Sequence, residues 1–222
     1  MGGPNRKRRM VTVAVAAVLI GTIVVASGFV LSKAHSGSTT SSQLTVAVIG
    51  DAYTAGNNNR VVWPTLLAQR TGFSVANFAL PGAGFVADGQ GGQGFPFQVD
   101  RAAAADPRII LVVAGVGDSD YAGSGYVGQG VADVVNKIGL RGLRALVVGP
   151  TWYETPVPPE VSGVSDEIRN AAQAAGVPFL DALNPPWLKP EQMQPDFTGP
   201  NDDGQSVIAD KIAAWLRTEV AG

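Results

Sequence analysis

The sequence predicts a three-layer α/β/α fold with a five-stranded parallel sheet in flavodoxin-like order, preceded by one transmembrane helix. Along residues 44–222, short β-branched runs alternate with amphipathic stretches, and each run is apolar at nearly every residue. Such strands are buried on both faces of a parallel sheet, and repeated β-α units build that sheet. The transmembrane helix is predicted from a long uncharged run near the N-terminus.

That uncharged run covers residues 10–32 and follows four consecutive basic residues, 6–9. At about 1.5 Å per residue, a helix of this length spans a hydrocarbon core of about 30 Å. The basic flank favours a cytoplasmic tail at 1–9 and an extracytoplasmic domain, so the chain is expected to be a single-pass protein of the cell membrane. A cleavable signal peptide is the alternative, because Ser32-Lys33-Ala34 is an acceptable cleavage site, and the domain would then be secreted.

Composition and charge exclude several classes of function. The chain has no cysteine, which excludes disulfides, thiol catalysis and cysteine metal sites. Four of its 16 basic residues precede the uncharged run, which leaves 12 basic against 18 acidic residues beyond it, a net charge of −6. This balance argues against nucleic acid or anionic lipid as a partner of the domain. The single histidine, His35, lies in a flexible linker at 33–43, where we expect a solvated spacer residue.

The elements of the domain follow from the same periodicity. The predicted strands are Leu44–Ile49, Ser74–Ala79, Ile109–Ala114, Ala145–Val148 and Val177–Leu180. The predicted helices are Val61–Arg70, Val127–Ile138, Val164–Ala175 and Gln205–Val220. Gly72, Gly139 and Gly176 stand just past three of these helix ends, where a left-handed cap belongs. Sites in such sheets form at the carboxyl ends of the strands, so the segments that follow the strands are the candidates.

The segment after the first strand is Gly50-Asp51-Ala52-Tyr53-Thr54-Ala55-Gly56. It resembles the first block of the SGNH (GDSL-type) esterase and acyl-hydrolase family, Gly-Asp-Ser-x-x-x-Gly. In that family the serine attacks the acyl carbon, and here its position is Ala52. A methyl group has neither a lone pair nor a proton to transfer, so this residue cannot perform nucleophilic catalysis.

Three further blocks resemble the family in the same order. Asn77-Phe-Ala-Leu-Pro-Gly82 keeps the glycine whose N–H donates to the oxyanion. Gly115-Val-Gly117-Asp118 occupies the place of the family's Gly-x-Asn-Asp. Gly117 replaces the asparagine whose side-chain amide is the other oxyanion donor in the family. Asp196-Phe-Thr-Gly199-Pro-Asn stands for Asp-x-x-His-Pro-Asn, with Gly199 in place of the general base. The resemblance covers residues 44–220 and implies the SGNH hydrolase fold.

The resemblance therefore implies a degenerate site, with Ala52, Gly117 and Gly199 at the altered positions and Gly82 and Asp196 retained. We expect a catalytically inactive domain that binds an envelope glycan or an acyl ligand, or that acts as a partner subunit. One alternative is an active ester hydrolase or acyltransferase that uses an Asp51/Asp196 carboxylate pair or Thr54. Another is a structural subunit that covers a membrane-protein complex.

The ligand-binding candidates lie in these blocks and among nearby loop aromatics: they are Asp51, Tyr53, Thr54, Gly82, Asp118, Trp152 and Asp196. Aromatic residues on such loops can stack on sugars, but ordinary packing is the competing interpretation. The aromatic residues in question are Phe85, Phe95, Phe97, Trp152, Tyr153 and Trp187. No cofactor is expected, because the glycine pattern 82–87 is not followed by a clean helix. No metal is expected, because the acidic pairs 118/120 and 202/203 lack EF-hand spacing.

Overall fold

The computed structural model describes residues 43–221, so the basic tail, the uncharged run, most of the linker and His35 lie outside the described residues. The strands are β1 Thr45–Gly50, β2 Ser74–Asn77, β3 Ile109–Val113, β4 Arg144–Val148 and β5 Phe179–Leu180. The helices are α1 Ala52–Ala55, α2 Trp63–Thr71, α3 Phe95–Ala103, α4 Tyr126–Gly139, α5 Pro159–Ala174 and α6 Asp202–Ala221. Within residues 43–221, no helix combines the length and apolar character that a membrane crossing requires.

The five strands form one parallel sheet in the order β2-β1-β3-β4-β5, which confirms the predicted flavodoxin-like topology. Alternate residues of each strand enter different cores. In β3, Ile110 packs beneath α3, α4 and α5, whereas Leu111 packs beneath α2 and α6. Both side chains are fully buried. Each such burial contributes roughly 1.5–3 kcal/mol relative to an exposed side chain, which is why the strand sequences are apolar throughout.

Two helices were not predicted. The α1 helix has only four residues and the first turn of α3 follows a glycine-rich stretch, so neither shows a full helical period in the sequence. The cap predictions were right at Gly72 and Gly176, whose φ angles are +73° and +66°. The prediction at Gly139 was wrong, because α4 includes that glycine.

Candidate functional site

The four blocks meet at the carboxyl edge of the sheet, and the glycines among them show how closely. A methyl group added to Gly115 would lie 1.6 Å from the Asp51 carboxylate, so the first and third blocks touch. One added to Gly117 would lie 3.0 Å from the carbonyl oxygen of Gly82, so the second and third blocks touch. One added to Gly199 would lie 3.8 Å from the Tyr53 ring, so the last block reaches the first.

Asp51 caps α1 and is 2 % exposed. Its carboxylate accepts a hydrogen bond from the Tyr53 N–H at 3.0 Å. Burial raises the pKa of Asp51 to about 6, because the charged form loses its hydration, and backbone N–H groups including those of Tyr53 and Val116 oppose that rise. The carboxyl group therefore serves the turn after β1, directly beneath the half-buried Ala52.

Tyr53 and Thr54 are both buried. The Thr54 hydroxyl accepts a hydrogen bond from the Trp63 indole N–H at 3.3 Å and has no exposed surface. It lies on the buried side of α1 against Trp63, away from the surface where a nucleophile or a ligand contact is expected. Burial first, and then the charge of Asp51 and the neighbouring Tyr153, raise the pKa of Tyr53, so its phenol remains protonated.

Gly82 and Gly117 lie at the two positions that, by the family resemblance, donate hydrogen bonds to the oxyanion. Gly82 is exposed, has φ of +71°, and its N–H makes no hydrogen bond to any described residue. At Gly117, a side chain would begin 3.0 Å from the carbonyl oxygens of both Gly82 and Ala83. The main chain thus crowds the point from which an asparagine side chain would extend.

The Asp118 carboxylate binds backbone N–H groups of the same chain. Its buried carboxylate accepts hydrogen bonds from the N–H groups of Phe85 (2.7 Å), Val86 (3.0 Å) and Ala87 (2.8 Å). A methyl group on Gly84 would lie 2.2 Å from that carboxylate, which explains the glycine there. The glycine pattern at 82–87 is therefore an anion-binding turn filled by a side chain of the same chain. These contacts engage both carboxylate oxygens of Asp118 within the protein, and the sequence-based expectation that it binds a ligand stays a prediction.

Asp196 is exposed and forms a local turn. It accepts hydrogen bonds from the Thr198 N–H (3.1 Å) and hydroxyl (2.8 Å), and these lower the pKa of Asp196. The Thr198 hydroxyl in turn accepts from the Asn57 amide at 3.2 Å. Among residues 43–221, no hydrogen bond joins Asp196 to Asp51, so the contacts of the two groups are not those of a carboxylate pair.

Asn201 and Asp202, which follow in the last block, have structural roles. Asn201 accepts hydrogen bonds from the N–H groups of Asp203 and Gly204, both at 3.0 Å, and so caps α6. Asp202 pairs with Arg60 at 2.6 Å, which is the main reason that the pKa of Asp202 is lowered. Within the described part of the chain, no group of three His, Cys, Asp or Glu side chains could hold a metal ion.

The aromatic residues divide into two groups. Phe85 and Phe95 pack edge to face in the core with centroids 4.9 Å apart, so ordinary packing explains them. Trp152 stacks on Tyr153 at 4.6 Å, and Tyr153 stacks on Phe197 at 5.3 Å. The sequence analysis missed Phe197, although its place inside the last block was a usable signal. Trp187 is half-buried against the core, and Phe97 is exposed on α3.

Two buried glutamines were also missed. The Gln205 side chain accepts from the Trp63 N–H at 2.7 Å and donates to the Tyr53 carbonyl at 3.0 Å, which joins α1, α2 and α6. The Gln98 side chain bonds both the N–H (2.9 Å) and the carbonyl (3.1 Å) of Gly50. Both glutamines hold the turn that carries Ala52 by satisfying buried backbone groups.

A polar depression of about 260 Å³ lies beside the last block and is lined by Asn58, Arg60, Gln194, Asn201, Asp202 and Asp203. Two other depressions described in this part of the chain, of about 310 and 440 Å³, lie at the amino ends of the strands and beside the start of α5. None of these three is lined by Ala52, Gly82 or Gly117. Of these three depressions, the one beside the blocks is therefore on the side of Asn58 and Gln194.

Comparison with known proteins identifies the family. Residues 48–207 match the GDSL-like lipase/acylhydrolase family. A GDSL lipase of Mycobacterium tuberculosis is 30% identical over 192 residues, which covers 80% of this chain and 83% of that protein. A lipolytic protein of the G-D-S-L family from Desulfitobacterium hafniense superposes with a TM-score of 0.63 at 18% identity, covering 76% of this chain and 97% of that one.

A psychrotrophic esterase, EstA from Pseudoalteromonas, superposes with a TM-score of 0.62 at 16% identity, covering 80% of this chain and 99% of that one. At such identities the two solved structures bear on the fold alone. The family match spans most of the chain and includes all four blocks. The chain belongs to the GDSL-like lipase/acylhydrolase family.

Proposed function

We propose that this protein is a membrane-anchored, extracytoplasmic member of the GDSL family that binds a ligand at the family's site without hydrolysing it. The observation that carries the proposal is the set of side chains at three positions. The fold brings Ala52, Gly117 and Gly199 to one edge of the sheet, and none of the three side chains can attack an acyl carbon or transfer a proton. A scaffold that is complete around such positions supports binding rather than turnover.

Neighbouring groups do not replace the missing chemistry. Thr54 is buried under Trp63, Asp51 is buried in its own turn, and Asp196 is bonded to Thr198. A hydroxyl group needs an adjacent base to become a nucleophile at neutral pH. The only imidazole of the chain is His35, which lies in the linker rather than in a block. This distribution supports an inactive protein over an ester hydrolase with a non-standard site.

Ligand binding is supported by what remains at the edge. The Gly82 N–H has no partner among residues 43–221, and the stack of Trp152, Tyr153 and Phe197 has an open end at Phe197, which is 47 % exposed. A free donor and an exposed aromatic ring among the loops at one edge of the sheet suit an envelope glycan or an acyl ligand. A partner subunit that covers this edge would use the same groups.

The uncharged run 10–32 with its basic flank supports membrane anchoring, with the domain outside. Protease treatment of intact spheroplasts that express a C-terminally tagged chain tests this topology: the tag should be digested from outside. Intact mass of the mature protein separates an anchor from cleavage after Ala34. A tag that is protected until lysis would contradict the proposed orientation.

Activity is tested on the full chain with p-nitrophenyl acetate, p-nitrophenyl butyrate and acetylated sugars, and with a fluorophosphonate that labels activated serines. We expect no turnover above buffer and no adduct. Turnover that is abolished by Asp51→Asn or Asp196→Asn would show an active carboxylate site and refute the proposal.

A gain-of-function variant provides the matched positive control. Ala52→Ser with Gly199→His should acquire fluorophosphonate labelling and a weak esterase activity, because an added Cβ at Gly199 makes no contact with residues 43–221 closer than 3.8 Å and a general base contributes roughly 10²–10⁴-fold. Ala52→Ser alone should stay near background. Adding Gly117→Asn should not help, since the carbonyl oxygens of Gly82 and Ala83 crowd its Cβ.

A further inference from the structure

We propose that the ligand of this site is a neutral oligosaccharide, bound across the exposed ring of Phe197 and the polar depression on the other side of the same loop. This inference rests on the proposed function, because it names the ligand of a non-hydrolytic site. Three features carry it: a stacked aromatic platform, a strained loop that fixes the platform, and a depression lined by planar polar side chains.

The platform consists of three rings in series. Trp152 and Tyr153 are 4.6 Å apart with an interplanar angle of 27°, and Tyr153 and Phe197 are 5.3 Å apart at 26°. Tyr153 is held between its two neighbours, so Phe197 forms the outer end of the stack. An exposed ring backed by two others is a rigid apolar surface, and the flat apolar face of a pyranose ring can stack on such a surface.

The backbone under Phe197 is held in a costly conformation. Phe197 has φ of +56°, a left-handed angle that costs roughly 1–2 kcal/mol for a bulky residue. Two hydrogen bonds impose it: the Phe197 N–H donates to the Gln194 carbonyl at 2.9 Å, and the Gln194 N–H donates to the Gly199 carbonyl at 2.8 Å. Strain of this kind concentrates at functional sites, and here it places an aromatic ring at the surface.

The same loop borders the polar depression, because Gln194 lines that depression and bonds to the Asn57 carbonyl. Its volume is about 260 Å³, and every residue that lines it is polar or charged. The amide of Asn58 is exposed and makes no hydrogen bond within the described part of the chain. Planar amides and carboxylates beside an aromatic ring match the alternating hydroxyl groups and apolar faces of a sugar chain.

Charge and polarity narrow the class of ligand. Arg60 is the one cation among the residues that line the depression, and it is already paired with Asp202. Asp196 and Asp203 add negative charge that is not neutralised by any ion pair among residues 43–221. An acidic polysaccharide would be repelled, and an acyl chain would find no apolar groove in this depression. A neutral sugar chain meets neither penalty.

The test is calorimetric titration of the full chain in a zwitterionic, sugar-free detergent. The probes are cellohexaose and xylohexaose as neutral chains, hexagalacturonate as an acidic chain, and dodecanoate as an acyl ligand. We expect binding of at least one neutral hexamer, with no detectable binding of hexagalacturonate or dodecanoate. Phe197→Ala should weaken that binding about tenfold, and Asn58→Gly about threefold, since glycine accepts the φ of +56° at Asn58 without strain.

Phe97→Ala is the matched control, because Phe97 is 56 % exposed on α3 and takes no part in the stack. It should leave binding unchanged. If Phe197→Ala is unstable, Phe197→Gly removes the ring and relieves the backbone. Equal affinities in the Phe197 and Phe97 variants, tighter binding of hexagalacturonate or dodecanoate, or no binding of either neutral hexamer would each overturn the inference. Esterase turnover would instead refute the proposed function, whichever sugars bind.

Discussion

Two regions of the candidate site are built differently. The first region comprises the segments after β1, β2 and β3, and the second is the segment before α6. In the first region, Asp51 and Asp118 are buried and their carboxylates serve backbone N–H groups. In the second region, Asp196 is exposed and bonds only within its own turn, and an added Cβ at Gly199 would contact only the Tyr53 ring among the described residues, at 3.8 Å. The first region is therefore held by buried carboxylates, whereas the Asp196 carboxylate of the second is bonded at the surface.

Within the first region, burial explains why the chain retains Asp51 and Asp118. Asp51 and Asp118 satisfy buried donors, and their loss would destabilise the loops that they hold. At Gly199, an added Cβ would have only Tyr53 of the described part of the chain within 4 Å, and the fold forms without a side chain there. Four variants test the contrast, in order from the largest expected effect to the smallest.

Gly115→Ala should prevent folding, or reduce the free energy of unfolding by more than about 5 kcal/mol, because its Cβ would overlap the Asp51 carboxylate at 1.6 Å. Chemical denaturation monitored by circular dichroism measures the effect. Gly139→Ala is the control, since no atom lies within 4 Å of its added methyl group and α4 favours alanine. A folded Gly115→Ala variant of ordinary stability would contradict the close approach of the first and third blocks.

Asp118→Ala should reduce the free energy of unfolding by about 3–4 kcal/mol, because three N–H groups of residues 85–87 lose their acceptor. Hydrogen exchange should report faster exchange of those three amides. Asp120→Ala, two residues away at an exposed position, should have little effect. Unchanged protection of residues 85–87 would show that the carboxylate does not hold the loop.

Asp51→Asn should change the pH dependence of stability. Because the folded pKa of Asp51 is about 6 and its ordinary value is 3.8, folding favours the protonated form. The wild-type protein should lose up to about 3 kcal/mol of unfolding free energy from this group as the pH rises from about 4 to about 6.5, and no more above that range. The variant should lack this loss. Chemical denaturation at pH 4 and pH 7 measures this change in unfolding free energy. The same change in the wild-type protein and the variant would contradict the conclusion that the Asp51 carboxyl is buried without an ion-pair partner among residues 43–221.

Asp196→Ala should leave stability near neutral pH almost unchanged, because the group is exposed and its partners lie in its own turn. The hydrogen bonds from Thr198 lower the pKa of Asp196 in the folded protein. Any small contribution of Asp196 to the free energy of unfolding is therefore present above the ordinary pKa of an aspartate and is lost as the pH falls through the pKa of the folded state. Thermal unfolding at pH 7 checks this. A loss as large as that of Asp118→Ala would remove the contrast between the two regions.

Sequence periodicity was sufficient for the strands and the four long helices, because their buried faces impose a repeat that is visible locally. It did not predict α1, which is only four residues long, or α3, which follows a glycine-rich segment. The motif blocks predicted where the site lies. They did not predict that Thr54 is buried, since its contact with Trp63 depends on how α2 packs.

The sequence by itself determined the sheet and its parallel order, and it determined that no hydroxyl, amide or imidazole occupies positions 52, 117 and 199. Those properties depend on side-chain chemistry and on patterns within a few residues. Only the tertiary structure decided that Asp118 fills the loop at 84–87 and that Phe197 stacks on Tyr153. These contacts join segments more than 30 residues apart, and their geometry is fixed by the packing of the whole sheet and its helices.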